Sequence, residues 1–410
     1  MHYAACCMQY MAADGDTKIA RGWETQLQDG RPAGTGGRLL IAKIAADAAW
    51  RGTQPLALTG AGASAPPSAG RPPGGLLMTA LSRRAVIAGA AAATAFVATG
   101  SRARAQTPLK LRFGHPHPEV DAFHKGGLRF AELVKEKTGG RIAVEVYANG
   151  ALGNDPTMIA SVRGGTLDIC LTGNPFFTGL APKLNVLDLP YLFNDRAHVA
   201  AVLDGPIGDD LREGLSGSNL KALSTWEVGW RNLTNNRRAV KTPADVKGLK
   251  IRTTPNPAHI QAFRLLGAVP TPMAFTELFT ALEMGSIDGQ ENPVTLILNA
   301  KFFEVQKHLS LTRHAFTTAP LVMNKIKFDG LSEDLRAALV SAAKEAAVFQ
   351  REMNVEGEKV AVAELKNDGM KVVEDIDVGA FRALVADTVK AEYVAKFGHE
   401  LVDKITSAAS

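Results

Sequence analysis

The hydrophobic and polar positions in the middle of the chain alternate between two periods. Some stretches repeat every two residues, as a strand does, and others keep apolar residues three or four positions apart, as a helix does. Glycine pairs end each of the two helical stretches. The pattern predicts, in chain order, a strand at 109–113, a helix at 120–138, a strand at 141–147, a helix at 154–163 and a strand at 166–171. Strands that alternate with helices at this spacing pair in parallel, which predicts an α/β fold.

The same pattern returns later and suggests a second, related unit. It predicts strands at 249–253 and 269–271, followed by helices at 257–266 and 275–284 respectively. The run at 162–168 is similar in character to the run at 282–288, and an Asn-Pro pair follows each of them a few residues later. We therefore expect two lobes that are built on related plans.

One long helix is predicted after the second unit. Ser332 is a favourable N-cap, Glu333 and Asp334 suit the first turn, and no proline interrupts the chain as far as Lys366. A continuous helix of this length would measure roughly 50 Å, which exceeds the need of one lobe. We expect it to lie across both lobes, with Gly357 as a candidate kink.

The net charge of +5 belongs to the N-terminal quarter of the chain. Residues 1–105 hold 11 Lys and Arg against 5 Asp and Glu, whereas the remainder holds 35 basic and 36 acidic residues. The larger part of the protein therefore has no general electrostatic attraction to nucleic acid or anionic lipid. It also holds a single cysteine, Cys170, which its apolar neighbours predict to be a buried small residue.

The N-terminal charge lies next to an export signal. Arg83 and Arg84 precede an apolar segment of thirteen residues, 85–97, and an Ala-Arg-Ala sequence follows at 103–105. These are the three parts of a secretory signal peptide, and the arginine pair resembles a twin-arginine signal. We expect cleavage near Ala105 and a periplasmic protein with no membrane insertion of its mature chain. We interpret 1–77 as a gene-model extension ahead of a true start at Met78.

The sequence motifs of common catalytic and nucleotide sites do not occur in this chain. His115 and His117 lie two residues apart without a nearby cysteine, which favours an ordinary strand end over a metal site. Arg252 lies in an apolar strand, and Arg231 lies among aromatic residues. A buried arginine pairs with a carboxylate through two parallel hydrogen bonds, although Arg252 also shares a face with Lys250 and would suit a solvated surface.

Several ordered motifs resemble the periplasmic solute-binding proteins of TRAP transporters, the DctP family. The resemblance covers roughly residues 109–400 and is carried by 246–252, 275–282 and 288–293, together with 167–168 and 188–193. It implies a two-lobe periplasmic-binding-protein fold of type II, with a hinge and closure over the ligand. The expected lobes are 106–229 plus 318–357 for lobe I, and 230–317 plus 358–410 for lobe II.

The resemblance also implies a set of ligand-binding residues. In that family a strand arginine pairs with the substrate carboxylate, and Arg252 is the match. A second, more variable arginine matches Arg231, the ligand-contacting asparagine matches Asn292, and Phe275 falls where the family often has an aromatic wall. Residues at variable specificity positions are His115, Asn154 and Gly173. Pro116 and Gly173 replace polar residues of some acidic-sugar binders, which argues against a sialic-acid-like ligand.

We therefore expect a binding protein rather than an enzyme, without metal or cofactor. It would capture a hydroxy, keto or sugar acid and deliver it to the membrane permease subunits of a TRAP transporter. Two alternatives remain open. One is an exported enzyme that uses Arg252 as a carboxylate or oxyanion clamp, which turnover of a bound ligand would reveal. The other is a ligand receptor for a sensor kinase, which neighbouring genes would reveal.

Overall fold

The computed structural model describes residues 107–408, which form a mixed α/β structure. The nine strands of this part are β1 Leu109–Gly114, β2 Ile142–Tyr147, β3 Ile169–Leu171, β4 Leu220–Asn235, β5 Lys250–Thr253, β6 Val269–Pro272, β7 Gly289–Pro293, β8 His308–Asn324 and β9 Lys371–Val373. The helices are α1 Ala122–Lys137, α2 Asp155–Gly164, α3 Arg196–Leu203, α4 Pro206–Glu213, α5 Pro257–Leu265, α6 Leu278–Glu283, α7 Val294–Asn299, α8 Lys325–Asp329, α9 Glu333–Asn367, α10 Val378–Phe397 and α11 Glu400–Ser407. The signal peptide and the 1–77 interpretation lie outside the described residues.

One sheet connects the two halves of the fold. Its strand order is β2-β1-β3-β8-β4-β7-β5-β6, and β9 pairs with β8. β1 pairs in parallel with β2 and β3, and β5 pairs in parallel with β6 and β7. The two long strands β4 and β8 are antiparallel to each other and join these two parallel groups. The fold is thus a two-lobe periplasmic-binding-protein fold, with shared strands at its centre.

The related plan of the two halves is visible at two aspartates. Asp168, just before β3, accepts a hydrogen bond from the backbone N–H of Arg112 in β1 at 2.6 Å. Asp288, just before β7, accepts one from the backbone N–H of Lys250 in β5 at 2.8 Å. Each carboxylate also pairs with a cation, Lys327 and Arg237 respectively. The sequence repeat therefore corresponds to the same structural unit in each half.

Helix α9 packs against both halves of the fold, as the sequence predicts. Its N-terminal part, including Leu339 and Ala346, belongs to the hydrophobic core around β1, α1 and Trp226. Its C-terminal part, including Ala361 and Leu365, belongs to a separate core with α6 and α7. The Cβ of an alanine at Gly357 would lie 3.1 Å from Thr295, so this glycine allows α7 to approach α9 closely.

The predicted strands and helices of both units occur close to their expected bounds. Two differences are local. The segment at 275–284 begins as a 3-10 helix, Phe275–Glu277, before α6. The strand predicted at 166–171 is shortened to β3, because Thr166 and Leu167 continue the turn after α2. Cys170 is buried, as expected. Within residues 107–408, none of the helices combines the length and apolar character that crossing a bilayer requires.

Candidate functional site

Arg252 is a buried arginine whose guanidinium donates to a backbone carbonyl. It lies in β5, is only 1% exposed, and donates from Nε and Nη2 to the backbone carbonyl of Met273 at 3.1 and 2.7 Å. Among the described residues, no carboxylate oxygen lies within 4 Å of its guanidinium nitrogens. Burial, and then repulsion from Arg231, lowers the pKa of Arg252 to about 10. The guanidinium is still protonated at neutral pH and can bind an anion.

Arg231 contrasts with Arg252 because it has an internal partner. It lies in β4 and forms two parallel contacts with the Glu291 carboxylate, from Nε to Oε2 and from Nη2 to Oε1, the second at 2.9 Å. His314 contacts the same carboxylate at 3.1 Å. Burial opposes ionisation of Glu291, but the Arg231 charge and the His314 contact hold its pKa below the ordinary value. Glu291 and His314 thus fix the orientation of Arg231.

Asn292 and Gly173 lie beside Arg231. Asn292 accepts a hydrogen bond from Arg231 Nη2 at 3.1 Å, and its register partner in β4 is Asn232. Thr317 of β8 accepts from Arg231 Nη1 at 3.3 Å. A Cβ at Gly173 would lie 3.8 Å from Thr317, in ordinary contact. The arrangement therefore brings β4, β7, β8 and the segment that follows β3 to one place in the fold.

The start of α2 meets the segment that precedes α6. Asp155 is buried and accepts a hydrogen bond from the backbone N–H of Phe275 at 3.1 Å. Asn154 is the N-cap of α2, through a bond to Thr157 N–H, and its side chain also donates to Glu277 at 3.3 Å. These bonds join the β1–β3 half to the β5–β7 half. The structure is therefore in a closed form, in which Asp155 is also close enough to Arg252 to stabilise its charge.

Histidines that follow β1 lie along the same contact between the two halves, which we call the seam. The His117 ring stacks on Phe123, with ring centroids 4.0 Å apart, and lies 5.0 Å from the ring of Phe275. His115 is fully buried, contacts His124 through Nε2 at 3.1 Å, and has no hydrogen-bond partner for Nδ1 among the described residues. Burial lowers the pKa of His115 to about 3, so the ring is neutral. Its unpaired Nδ1 atom can form one further hydrogen bond, as donor or as acceptor according to the tautomer.

The structure places the seven predicted site residues on two connected parts of one seam. The first part lies at β4, β7 and the end of β3 and contains Arg231, Asn292 and Gly173. The second part lies where the two halves meet and contains His115, Asn154 and Phe275. Arg252 lies in β5, the strand next to β7. Their contacts with a ligand remain a prediction. Sequence reasoning missed Glu291, His314 and Asp155, which orient these residues. The only available signal was that a buried arginine needs an acidic partner.

A two-lobe fold with polar side chains along the contact between its halves is the architecture of a solute-binding protein. The family model of the bacterial extracellular solute-binding proteins, family 7, matches residues 113–396. The 2,3-diketo-L-gulonate-binding periplasmic protein YiaO of Escherichia coli is 46% identical over 284 residues, which are 69% of this chain and 87% of YiaO. The chain belongs to this family, the periplasmic solute-binding proteins of TRAP transporters.

Solved structures agree with this assignment. The TRAP periplasmic solute-binding protein of Polaromonas bound to D-erythronate is 38% identical with a TM-score of 0.72, over 74% of this chain and 99% of that one. The sugar-acid-binding protein of Advenella mimigardefordensis in complex with galactonate is 37% identical with a TM-score of 0.71, over 74% and 98%. Both of these proteins are binding proteins whose structures contain a sugar acid.

Proposed function

We propose that this protein binds the carboxylate of a small organic acid through Arg252. The observation that carries the proposal is the buried guanidinium of Arg252, which among residues 107–408 has only a backbone carbonyl as acceptor. A buried cation is costly unless a counter-charge accompanies it. A planar carboxylate from a ligand would supply that charge and pair with the guanidinium. Arg231, whose charge is balanced by Glu291, would contribute a second, pre-oriented hydrogen-bond donor.

The ligand class that we propose is a sugar acid or a closely related hydroxy or keto acid. The relatives named above take 2,3-diketo-L-gulonate, D-erythronate and galactonate, and each of these has one carboxylate and several oxygens that form hydrogen bonds. In this chain the seam next to Arg252 offers polar groups, namely the His115 Nδ1 atom and the Asn154 amide. Phe275 and His117 supply ring faces for the carbon skeleton.

We further propose that the protein acts in the periplasm and delivers its acid to the membrane permease of a TRAP transporter. This part of the proposal follows from family membership and from the sequence signal at 78–105. Closure of the two halves would bury the carboxylate, and the closed shape would be the form that a permease distinguishes from the open one.

The proposal is tested by substitution of Arg252 and titration with candidate acids. A thermal-shift screen of D-erythronate, D-galactonate and 2,3-diketo-L-gulonate first selects the ligand. Arg252→Ala should then weaken binding by roughly 30- to several-thousand-fold, because the loss of one partner of a desolvated pair costs about 2–5 kcal/mol. Arg252→Lys should recover only part of this loss, since an ammonium cannot form the planar two-bond contact.

Arg264→Ala is the matched control for charge, because Arg264 lies exposed on α5. It should bind within about twofold of the wild type. Circular dichroism verifies that each variant is folded, and calorimetric titration gives the affinities. A folded Arg252→Ala protein that keeps wild-type affinity would contradict the proposed role of Arg252 and move the carboxylate to Arg231.

A further inference from the structure

His117 is a histidine at the seam whose hydrogen-bonding groups play no part in the proposed binding of the carboxylate. It follows β1, and its ring stacks on Phe123 of α1 with centroids 4.0 Å apart. The same ring lies 5.0 Å from that of Phe275, which belongs to the other half of the fold. Only 7% of the side chain of His117 is accessible. The imidazole is therefore held in place between the two halves.

Asp121 determines which ring nitrogen of His117 carries a hydrogen. Its Oδ1 atom lies 2.9 Å from His117 Nδ1 and accepts the backbone N–H of Phe123 at 3.0 Å, while Oδ2 accepts from the side-chain amide of Asn299 at 3.0 Å. Because both oxygens are acceptors, the carboxyl group is ionised and accepts a hydrogen from Nδ1. Burial opposes this ionisation, but the contacts with His117 and Asn299 hold the pKa of Asp121 below its ordinary value.

The other ring nitrogen of His117 points away from Asp121. Among residues 107–408, Nε2 has no hydrogen-bond partner, and unlike Nδ1 of His115 it is not sealed from solvent. When Nδ1 of a neutral imidazole carries the hydrogen, Nε2 is an acceptor. An acceptor that is largely buried costs free energy when no donor reaches it. The closed form therefore favours a ligand that brings a donor to Nε2.

His117 and Arg252 lie along one stretch of the seam. Arg252 donates to the carbonyl of Met273, and Phe275, which contacts His117, follows Met273 by two residues, at most about 7 Å of chain. Burial raises the pKa of Asp155, and the charges of Arg252 and His117 both oppose this rise, so Asp155 is close to both. An acid whose carboxylate pairs with Arg252 would thus extend past Asp155 toward His117.

We propose that His117 is a specificity-determining residue, whose Nε2 atom accepts a hydrogen bond from a hydroxyl group at C3 or beyond in the bound acid. This rests on the proposed function, since it assumes that the carboxylate lies at Arg252. The ligand class is narrowed to acids with a hydroxyl group remote from the carboxylate, because a carbonyl group or a second carboxylate offers Nε2 no hydrogen. Asp121 is a positioning residue, which keeps the ring in its accepting form.

The test is calorimetric titration with one acid and with its monodeoxy analogues, each of which lacks a single hydroxyl group. The acid is whichever of D-erythronate, D-galactonate and 2,3-diketo-L-gulonate binds the wild type. Loss of one hydroxyl at C3 or beyond should weaken binding to the wild type by roughly 5- to 150-fold, because Nε2 is left without a donor. His117→Phe keeps a stacked ring but removes Nε2, so it should bind that analogue and the parent acid within about threefold of each other.

Asp121→Ser decides the matter if His117→Phe does not fold. A serine hydroxyl still caps α1, but it is too short to hold His117 Nδ1. The ring is then free to carry its hydrogen on Nε2, so the penalty for the missing hydroxyl should decrease. A general weakening of the structure would lower the affinity for the acid and its analogue alike, and it would leave the ratio of the two unchanged.

His198→Phe is the matched control. His198 is also a buried histidine, but its ring nitrogens contact the Asn194 N–H at 3.3 Å and the Ile405 carbonyl at 2.8 Å, where α3 packs on α11. Its replacement should leave every penalty at the wild-type value. Penalties that are also unchanged in His117→Phe, or in Asp121→Ser where that variant decides, would overturn the role of His117. Failure of all three acids to bind the wild type would contradict the proposed function itself, and this role with it.

Discussion

At the scale of single residues, the two buried arginines represent two solutions to the cost of burying a charge. Arg231 has its counter-charge within the chain, in the carboxylate of Glu291, and both side chains are at most 2% exposed. Arg252 has a backbone carbonyl in that place. Because the first charge is neutralised internally and the second is not, substitution of the two should affect different properties. Loss of the Arg231 partner should affect folding, and loss of Arg252 should affect binding.

Glu291→Gln should destabilise the protein. The substitution leaves the buried Arg231 cation without a counter-charge, and the loss of one partner of a buried pair costs about 3–5 kcal/mol. Urea unfolding followed by circular dichroism measures the change. The double variant Arg231→Met, Glu291→Met removes both charges, so it should be less destabilised than the single variant. A single variant as stable as the wild type would show that Arg231 does not depend on this carboxylate.

The Arg231–Glu291 ion pair also predicts how the stability of the protein depends on pH. The pKa of Glu291 in the folded protein lies below its ordinary value of 4.5. A depressed pKa means that the stabilisation is fully present above pH 4.5 and is lost as the pH falls through the folded value. The stability difference between the wild type and Glu291→Gln should therefore be constant from pH 5 to 7 and should narrow below about pH 4. Unfolding midpoints across this range test the sign.

A site residue can be predicted from the sequence only where its neighbours in the chain indicate its role. Arg252 is a candidate because a charged residue interrupts an apolar strand, although the pattern alone also suits a solvated face and only the family resemblance singles it out. Glu291 was not, because it lies in a polar run, Gly289–Pro293, that resembles a turn. Its burial follows from pairing of β7 with β4, whose residues are about 60 positions away in the chain. The contact of Glu291 with His314 of β8 is equally non-local.

At the scale of elements, the long strands β4 and β8 connect the two halves and carry the irregularities of the sheet. Their pairing shifts register three times, between Ala222 and Ser224, between Glu227 and Gly229, and between Arg231 and Leu233. Bulges of this kind bend and twist a strand locally. They lie on both sides of the point where Arg231 projects. We infer that they aim this part of β4 toward the site.

Gly229→Ala should test the importance of the central bulge. Gly229 has a φ of +124°, a conformation that is strained for any residue with a side chain, and an added Cβ would lie 3.3 Å from Pro293 of β7. We expect a loss of about 1–3 kcal/mol in unfolding free energy. Gly217→Ala is the control, because nothing lies within 4 Å of its Cβ position and it requires no positive φ. Equal stability of both variants would contradict a conformational requirement at Gly229.

The sequence predicts the strands β1, β2, β3, β5 and β6 and the helices α1, α2, α5, α6 and α9, but it assigns no strand to β4 or β8. The reason is physical. Both strands are covered on both faces, so nearly every position is buried and the two-residue alternation disappears. Their many polar residues are satisfied by other strands and by α9, as when Gln350 and Asn354 donate to the Glu227 carbonyl. An isolated sequence does not contain those partners.

At the scale of the whole molecule, the hydrogen bonds between the two halves are the contacts that form on closure and break on opening. Hydrogen bonds join Asp155 to the Phe275 N–H, Asn154 to Glu277 and Asn299 to Asp121. They are few, and the Asn154 bond has partly exposed partners. Because each hydrogen bond contributes only about 0.5–1.5 kcal/mol net, these bonds alone hold the closed form weakly. Closure buries the charge of Arg252, and the nearby Asp155 does not fully offset this burial, because the pKa of Arg252 stays lowered to about 10. We expect a ligand carboxylate to supply the remaining counter-charge.

Ligand binding should therefore shift the population from open to closed molecules. Small-angle scattering of a chain that begins at Gln106 should show a smaller radius of gyration with saturating acid, approaching the value of about 19 Å expected for a compact domain of roughly 300 residues. Arg252→Ala is the control at the same acid concentration, and it should keep the larger radius because its carboxylate site is lost. Asp155→Ala should close less completely at sub-saturating acid, since the bond to Phe275 is missing. If the radius of gyration of the wild type does not change at saturating acid, the molecule is closed at all times. The proposal that the ligand carboxylate drives closure would then be wrong.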